Sequence, residues 1–347
     1  MNLYRITTNG LMFDYKNHLQ GSYKKLADAM VKMETGRTFN SYAEDPAAAS
    51  KAFQLRRNYW RNEAQLRNNN NVRSSFSQAY DTIDLVKNKL GWCLANDGTL
   101  VGLNTPDASG RQALGQEILE AANAAVQSMN ANYSGNFLFA GADSLNVPFE
   151  WSEDGKTLLY RGVDVNATTD EAKKLLQGMV DEKTYVDIGL GMQENSDGTP
   201  ITSTVYNSAL CGADFLGWGT DADGDPKNAI MLMKEIGDIL KNCNSENGDF
   251  AQAGDEERLN RLSKKLQTSL DQMNVKFVEL GTKAQFLNTN ETKLKSEKDT
   301  LNEQILDVEK MNDAEAINNM AWAQYCYNAA LKIGTNILSE SLIDYMR

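Results

Sequence analysis

Two long stretches of the sequence contain no proline and repeat apolar residues at helical spacing. The chain has 347 residues and five prolines. Proline inside a helix removes a backbone hydrogen-bond donor and clashes with the preceding turn, so long helices are expected only between prolines. We therefore expect the longest helices to follow the first and the last proline. The prolines are Pro46, Pro106, Pro148, Pro200 and Pro226.

The stretch after Pro46 carries a heptad-spaced row of residues, here called the first seam. Asp45 is a good N-cap and Pro46 fits the first helical position. The row predicts a helix of ~45 residues and ~65–70 Å, which is longer than a compact globular domain normally accommodates. Its polar members are expected to select register and partner at some cost in stability. The first seam is Ala52, Leu55, Tyr59, Asn62, Leu66, Asn69, Arg73, Phe76, Tyr80, Ile83, Lys87 and Leu90.

A second seam predicts another long helix from Asp255 to about Asn312. Its leucines and Val308 repeat at strict sevens and are joined by Ala284 and Ile305, while Glu291 and Lys298 interrupt its other register. The second seam is Leu280, Ala284, Leu287, Leu294, Leu301, Ile305 and Val308.

Both ends of the chain show the 4, 3, 4, 3 spacing of a helix. The first row ends at Gly36, a typical C-terminal stop, and the last row follows Asp313. For these rows to be buried, the two terminal helices must pack on each other or on other copies of the chain. The rows are Leu19, Tyr23, Leu26, Met30 and Met33, then Ile317, Ala321, Gln324, Asn328, Leu331, Thr335, Leu338, Leu342 and Tyr345.

The middle of the sequence has a different texture. "NDGTL" at Asn96 predicts a turn, "NTPDASGRQAL" begins a helix that runs to about Asn132, and "NAIMLMKEIGDILKN" predicts another. Between Phe137 and Asp225 the segments are short, β-branched or aromatic, and separated by Gly, Asp and Asn. The predicted fold is therefore mainly α with a β-rich insert.

Charge and composition argue against nucleic acids and membranes as partners. The net charge is −12, and phosphate binding requires clustered Lys and Arg. No apolar run approaches the ~18–20 residues that span a bilayer. The N-terminus has neither an apolar core nor a small-residue cleavage site, so we expect no cleaved signal peptide.

The residues that usually carry catalysis or bind metal are sparse. His18 is the only histidine, and we expect a solvated or packing role for it. Cys93, Cys211, Cys243 and Cys326 form no CxxC pair and are expected to be free thiols, with Cys93 and Cys326 buried. "DADGDPKNAIML" resembles the opening of a calcium loop, but Pro226 stands at the position of its glycine and Leu232 at that of its glutamate. We expect an acidic turn there, no phosphate-binding glycine loop, no cofactor and no enzyme.

Three segments carry a resemblance to a known family. "METGRTFNSYAEDPAAASKAFQLR" resembles the N-terminal signature of the flagellins. "NANYSGNFLFAGADSLNVPFEW" resembles the Asn-x-x-x-Gly-x-Tyr/Phe-Leu/Ile-Phe-Ala-Gly pattern of the hook-associated protein 3 family, and "LSESLIDYMR" is similar to that family's ending. The resemblance covers the helical regions before about Phe149 and after about Lys227. The matching signature residues are Gly36, Arg37, Asn40, Asp45, Pro46, Ala47 and Ala48, while Glu44 replaces the first Asp.

The resemblance implies an elongated flagellin-like coiled-coil rod in three parts. Residues 1–40 with 310–347 would be assembly helices that are unstructured in the monomer. Residues 41–136 with 227–309 would form the helical rod domain, and 137–226 a β-rich outer domain. Gly36, Asn40, Asp45 and Pro46 would form a hinge and helix cap. The apolar assembly seam would be Leu19, Leu26, Met30, Leu331, Leu338 and Leu342.

The resemblance also implies a structural role in the bacterial flagellum, at the junction between hook and filament. The expected partners are other copies of the chain, hook-associated protein 1, flagellin and an export chaperone. The protein would be exported unfolded through the flagellar type III apparatus and assembled outside the cell. Three alternatives stay open: flagellin itself, a flagellin-like protein whose insert binds a surface ligand through Trp151 or Trp218, and a metal-dependent enzyme.

Overall fold

The helices account for most of the computed structural model, which describes residues 8–95, 108–243 and 250–345, with the backbone alone for 8, 9, 11, 108 and 336–345. The turn predicted at Asn96–Leu100 lies outside these residues. The predicted long helices are confirmed, and the one after Pro46 has 49 residues. The helices are α1 (Thr8–Thr35), α2 (Pro46–Leu94), α3 (Ala108–Met129), α4 (Asp170–Val180), α5 (Gly212–Leu216), α6 (Ala229–Lys241), α7 (Asp255–Glu309) and α8 (Asp313–Tyr345).

The chain divides into two compact units. Unit 1 comprises Met1–Glu63 and Ser296–Arg347, and unit 2 comprises Ala64–Lys295. In unit 1, α1 packs against α8. In unit 2, α3 packs against α6, and both contribute to one continuous apolar core. The three-part division expected from the sequence stays a prediction, because it assigns a role to each part.

The two seams meet within unit 2, where their polar residues pair across the helices. Leu280, Leu287 and Leu294 are buried. Asn69 is also buried, and its amide nitrogen donates a hydrogen bond to the carbonyl oxygen of Leu287 over 3.0 Å. Arg73 forms an ion pair with Glu291 at 2.6 Å. Asn69 and Arg73 therefore each have a specific partner on α7, so a heptad shift of α2 against α7 would separate these two pairs.

The insert is built of short antiparallel pairs rather than long strands. β1 (Asn132–Tyr133) pairs with β2 (Asn136–Phe137), and β6 (Tyr185–Val186) pairs with β7 (Tyr206–Asn207). The largest sheet has the order β3–β4–β5, formed by Phe149–Trp151, Leu158–Tyr160 and Val163–Asp164. Each strand has only two or three residues because Gly, Asp and Asn turns interrupt the apolar segments.

The helix α4 was not predicted from the sequence, although the residues at its start are typical of a helix N-terminus. The Thr169 hydroxyl caps the helix by accepting a hydrogen bond from the backbone of Ala172, and Asp170 and Glu171 occupy the first turn. Acidic residues in a first turn favour a helix because they face its positive end.

The core beneath the insert contains the fully buried aromatic side chains Phe139, Phe149 and Tyr160.

Candidate assembly site

The chain leaves α1 at a glycine and enters α2 at a cap. Gly36 has a φ of +64°, a left-handed conformation that glycine adopts without steric cost. Asp45 accepts hydrogen bonds from the backbone nitrogens of Ala47 at 3.1 Å and Ala48 at 2.9 Å. Pro46 is the first residue of α2. Residues 36–45 together with 309–312 are called the joint below.

The two passes of the chain through the joint are hydrogen-bonded to each other. The backbone nitrogen of Thr38 donates to the carbonyl oxygen of Glu309 over 2.8 Å. The backbone nitrogen of Met311 donates to the carbonyl oxygen of Gly36 over 2.9 Å. An antiparallel bridge between Arg37 and Lys310 lies between these bonds. The joint is therefore a two-pass connection and not a single exposed linker.

Arg56 clamps the joint from α2. Its Nε donates to Glu309 Oε1 over 2.7 Å and its Nη2 to Glu309 Oε2 over 2.5 Å. Arg37 Nε lies 3.9 Å from the same carboxylate. The hydrogen bond from Arg56, with a smaller contribution from the charge of Arg37, lowers the pKa of Glu309 below its ordinary value. Bidentate arginine–carboxylate pairs fix orientation as well as adding energy.

The loop before α2 is held to the end of α1. Asn40 Oδ1 accepts a hydrogen bond from the Thr35 hydroxyl at 3.2 Å. The backbone nitrogen of Asn40 donates to Glu44 Oε2 at 3.3 Å, and the same carboxylate pairs with Lys32 at 2.9 Å. Glu44, which replaces the Asp of the flagellin signature, thus connects the loop to α1.

α1 and α8 approach closely along part of their length. Leu26 is buried between them and Leu19 is half-buried. The rings of Tyr23 and Tyr327 lie 5.8 Å apart. A Cβ added at Gly334 would overlap the ring of Tyr15, so only glycine permits this approach.

Much of the apolar surface of this helix pair is uncovered. Met30 of the predicted seam is 48% exposed and Leu331 is 40% exposed. Of the four predicted seam residues whose side chains the structure describes, only Leu26 is fully buried. The side chains of Leu338 and Leu342 lie outside the described ones. Exposed large apolar residues on α1 and α8 are Met12, Phe13, Tyr23, Met30, Val31, Met33, Ile317, Trp322, Tyr325, Leu331 and Ile333.

The histidine and the cysteines, which were the candidates for catalysis or metal binding, lie in environments that suit packing or solvent exposure. His18 is exposed. All four cysteines are free thiols, and Cys326 is only half-buried, which corrects the expectation that it would be buried. Burial raises the pKa of the Cys93 thiol to about 12, so at neutral pH it carries no nucleophilic thiolate.

Lys265 of α7 neutralises part of the charge of the acidic turn at Asp221. The carboxylates of Asp221, Asp223 and Asp225 lie close enough to hold a metal ion. However, Lys265 Nζ lies 2.5, 2.9 and 2.6 Å from these three side chains, and Arg261 also pairs with Asp225 at 2.7 Å. The ammonium group occupies the position that a bound cation would need.

Comparison with known proteins identifies the N-terminal part of the chain. Residues 6–144 match the model of the bacterial flagellin N-terminal helical region. This match includes α1, the first pass through the joint, and α2. The N-terminal part of the chain is therefore similar to the flagellins. A search of curated proteins found no match for the sequence.

Solved structures of flagellar proteins share the fold of this flagellin-like chain. A flagellar hook-associated protein from Vibrio parahaemolyticus is 15% identical, with a TM-score of 0.56 over 77% of this chain and 100% of that one. FlgL from Xanthomonas campestris is 12% identical, with a TM-score of 0.54 over 72% of this chain and 99% of that one.

Flagellar hook-associated protein 3 from Legionella pneumophila is 12% identical, with a TM-score of 0.50 over 74% of this chain and 98% of that one. At these identities the likeness shows the fold. The predicted fold class and the predicted resemblance are thus confirmed. None of the described helices combines the length and apolar content needed to cross a bilayer.

Sequence reasoning missed the clamp between Arg56 and Glu309. The two residues are separated by 253 positions, and neither stands out in its own charge-rich helix. The only nearby signal was the flagellin signature around Gly36, which locates the joint without naming what holds it.

Proposed function

We propose that this flagellin-like protein is the subunit of the hook–filament junction of a bacterial flagellum. In this role it forms a ring of identical subunits that connects hook-associated protein 1 to the flagellin filament. The observation that carries the proposal is the uncovered apolar surface of α1 and α8. An exposed surface of this extent, built from terminal helices, marks a site of protein–protein contact.

Assembly is the step that buries this surface. Each fully buried Leu or Met side chain contributes roughly 1.5–3 kcal/mol. Several such residues per subunit offset the conformational entropy lost when two terminal segments become ordered. We propose that residues 1–40 and 310–347 become ordered at this step, that 41–136 with 227–309 form the rigid helical part, and that 137–226 form the outer domain.

The same proposal assigns the route and the remaining partners. The protein is exported through the flagellar type III apparatus without a cleaved signal peptide, is kept unfolded by an export chaperone, and acts outside the cell.

Electron microscopy of a deletion strain tests the junction role. Hooks with shed or absent filaments, alongside secreted flagellin, are the expected result. Loss of the filament protein itself would identify this chain as flagellin and overturn the proposal.

Point variants test the assembly surface. A strain producing the protein with Met30→Ser and Leu331→Ser is expected to export a folded subunit but to attach few filaments. The matched control is Leu145→Ser with Leu175→Ser, since these residues are 76% and 56% exposed but lie outside the terminal helices. Normal filament number in the first strain, or equal loss in both, would contradict the assignment of the surface.

A further inference from the structure

A cleft in unit 2 lies outside the assembly site. It is bounded by α4, α5, the loop after α5 and the middle of α7, and its volume is about 720 Å³. Cavities of roughly 300–1,000 Å³ are typical of small-molecule sites. Ser269, which is buried, and Gln272 line it from α7, and Trp218 lines it from the loop.

The loop that carries Trp218 is fixed from both sides. The Asn228 amide nitrogen donates to the carbonyl oxygen of Gly217 over 2.8 Å. The backbone nitrogen of Gly219 donates to the carbonyl oxygen of Val165 over 2.7 Å, and that of Lys227 donates to Gly219 over 2.9 Å. The half-buried indole also packs against the core. The aromatic face is therefore held in place before any ligand arrives, which lowers the entropic cost of binding.

The lining of the cleft carries net positive charge in a protein of net charge −12. Its charged side chains are Lys173, Lys227, Lys276 and Asp214. Lys276 is paired with Asp214 at 2.9 Å. Among the residues that the structure describes, no carboxylate pairs with Lys173 or Lys227. Two ammonium groups are thus available to a ligand.

We propose that this cleft binds acidic sugar units, such as those of a uronic acid polymer. The apolar C–H face of a pyranose ring fits the flat face of Trp218. The indole combines an apolar ring with an N–H donor, so it suits a sugar, which has both an apolar face and hydroxyl groups. The ring hydroxyls meet the hydroxyl of Ser269 and the amide of Gln272. The carboxylate meets Lys173 or Lys227 through charge-assisted hydrogen bonds.

An acidic peptide would satisfy the lysines but has no need of an aromatic platform. The requirement for both Trp218 and the lysines is therefore what separates the two ligand classes. This inference goes beyond the junction role and does not depend on it.

Calorimetric titration of the purified full-length protein tests the site with three probes: tetragalacturonate, neutral galactotetraose and tetraglutamate. Tetragalacturonate is expected to bind at least about tenfold more tightly than either other probe. Trp218→Ala and the double variant Lys173→Gln/Lys227→Gln are each expected to weaken that binding about tenfold or more.

The control for charge is Lys174→Gln/Lys283→Gln, which changes the net charge equally on α4 and α7 but at exposed positions outside the cleft. Thermal unfolding of each variant checks that the fold is retained, and Trp218→Phe replaces the Ala variant if it is not. Equal binding of the sugar by the control and cleft variants would overturn the proposal. So would tighter binding of tetraglutamate, or no binding of tetragalacturonate.

Discussion

Glu309 is the residue at which both passes of the joint and α2 are connected. Its carbonyl oxygen accepts from Thr38, and its carboxylate accepts from Arg56. The carboxylate is largely shielded from solvent, whereas the Arg56 side chain is 42% exposed. The pair is therefore partly screened, and its contribution falls between that of a surface ion pair and that of a buried one.

Replacing Glu309 tests this contribution through its pH dependence. Glu309→Gln is expected to lower the free energy of unfolding by about 1 kcal/mol near neutral pH. Because the pKa of Glu309 is lowered in the folded protein, the stabilisation is present above the unfolded carboxyl pKa of about 4.3 and is lost as the pH falls through the folded value.

The difference in urea unfolding between wild type and Glu309→Gln should thus shrink below about pH 4. Glu303→Gln, at an exposed position on the same helix, is the matched control. A difference that is the same at acidic and neutral pH would show that the lost charge is not the cause.

Lys265 acts as the internal cation of the turn at Asp221. The Asp225 side chain is buried, and hydrogen bonds from Arg261 and Lys265 lower its pKa to about 2. An Asp whose pKa is lowered from about 3.9 to this value contributes about 2–3 kcal/mol to the free energy of unfolding at neutral pH. That stability is present above about pH 4 and is lost as the pH falls through the folded pKa.

Lys265→Met is expected to lower the free energy of unfolding by about 2 kcal/mol near neutral pH, because three neighbouring carboxylates lose their shared cation. The loss should diminish as the carboxylates are protonated in acid. Chemical denaturation at several pH values measures it, with Lys264→Met as the control at an exposed neighbouring position. A loss that does not change between neutral and acidic pH would contradict this account.

At the scale of elements, local sequence signals predicted the helices well. Asp45 and Pro46 specify the start of α2 through backbone geometry alone, and the heptad rows specify α2 and α7 through apolar spacing. These signals depend on residues a few positions apart, so they survive without knowledge of the fold. The strands of the insert depend on cross-strand pairing, for which spacing gives no partner.

In the candidate assembly site, too, the local features could be predicted from the sequence, whereas the contacts between distant segments could not. The signature around Gly36 located the joint, since a left-handed glycine followed by a cap is a local feature. The clamp between Arg56 and Glu309 is a contact between distant segments. Likewise, apolar spacing groups Met30 and Leu331 with the other seam residues of their helices, but spacing cannot say which side of a helix pair is covered in a single chain.

The amide network between α2, α7 and the insert provides a test at this scale. The Asn290 amide nitrogen donates to Asn69 Oδ1 over 3.0 Å and to the carbonyl oxygen of Ile188 over 2.7 Å. Asn290→Leu is expected to lower the free energy of unfolding by about 1–3 kcal/mol, because it leaves buried acceptors without a donor. Urea denaturation measures the change.

A second substitution separates hydrogen bonding from packing. Adding Asn69→Leu to Asn290→Leu is expected to restore part of the loss, since the pair of leucines removes an unsatisfied acceptor together with its partner. Asn71→Leu at an exposed position of α2 is the control. Strictly additive losses would show that the two amides act independently.

At the scale of the whole molecule, burial differs between the two units. α3 and α6 of unit 2 contribute many fully buried side chains to the continuous core. In contrast, most of the large apolar side chains that the structure describes on α1 and α8 of unit 1 are exposed. Local stability follows the apolar area buried, so the terminal helices are expected to open more readily than the core.

Hydrogen exchange on the monomer measures this difference directly. Amides of α1 and α8 are expected to exchange at least about tenfold faster than those of α3 and α6, and to become protected in the assembled state. Equal protection of all four helices in the monomer would contradict ordering on assembly, while leaving the fold itself unaffected.

The hydrogen bond between Met311 and Gly36 also has a topological consequence. Because Gly36 and Met311 are hydrogen-bonded to each other, the segment between them begins and ends at adjacent positions, as an inserted domain does. Segments of this kind can be exchanged, lengthened or grafted without altering the flanking elements. The helix pair of α1 and α8 and the interval between Gly36 and Met311 can therefore diversify in sequence separately within one gene.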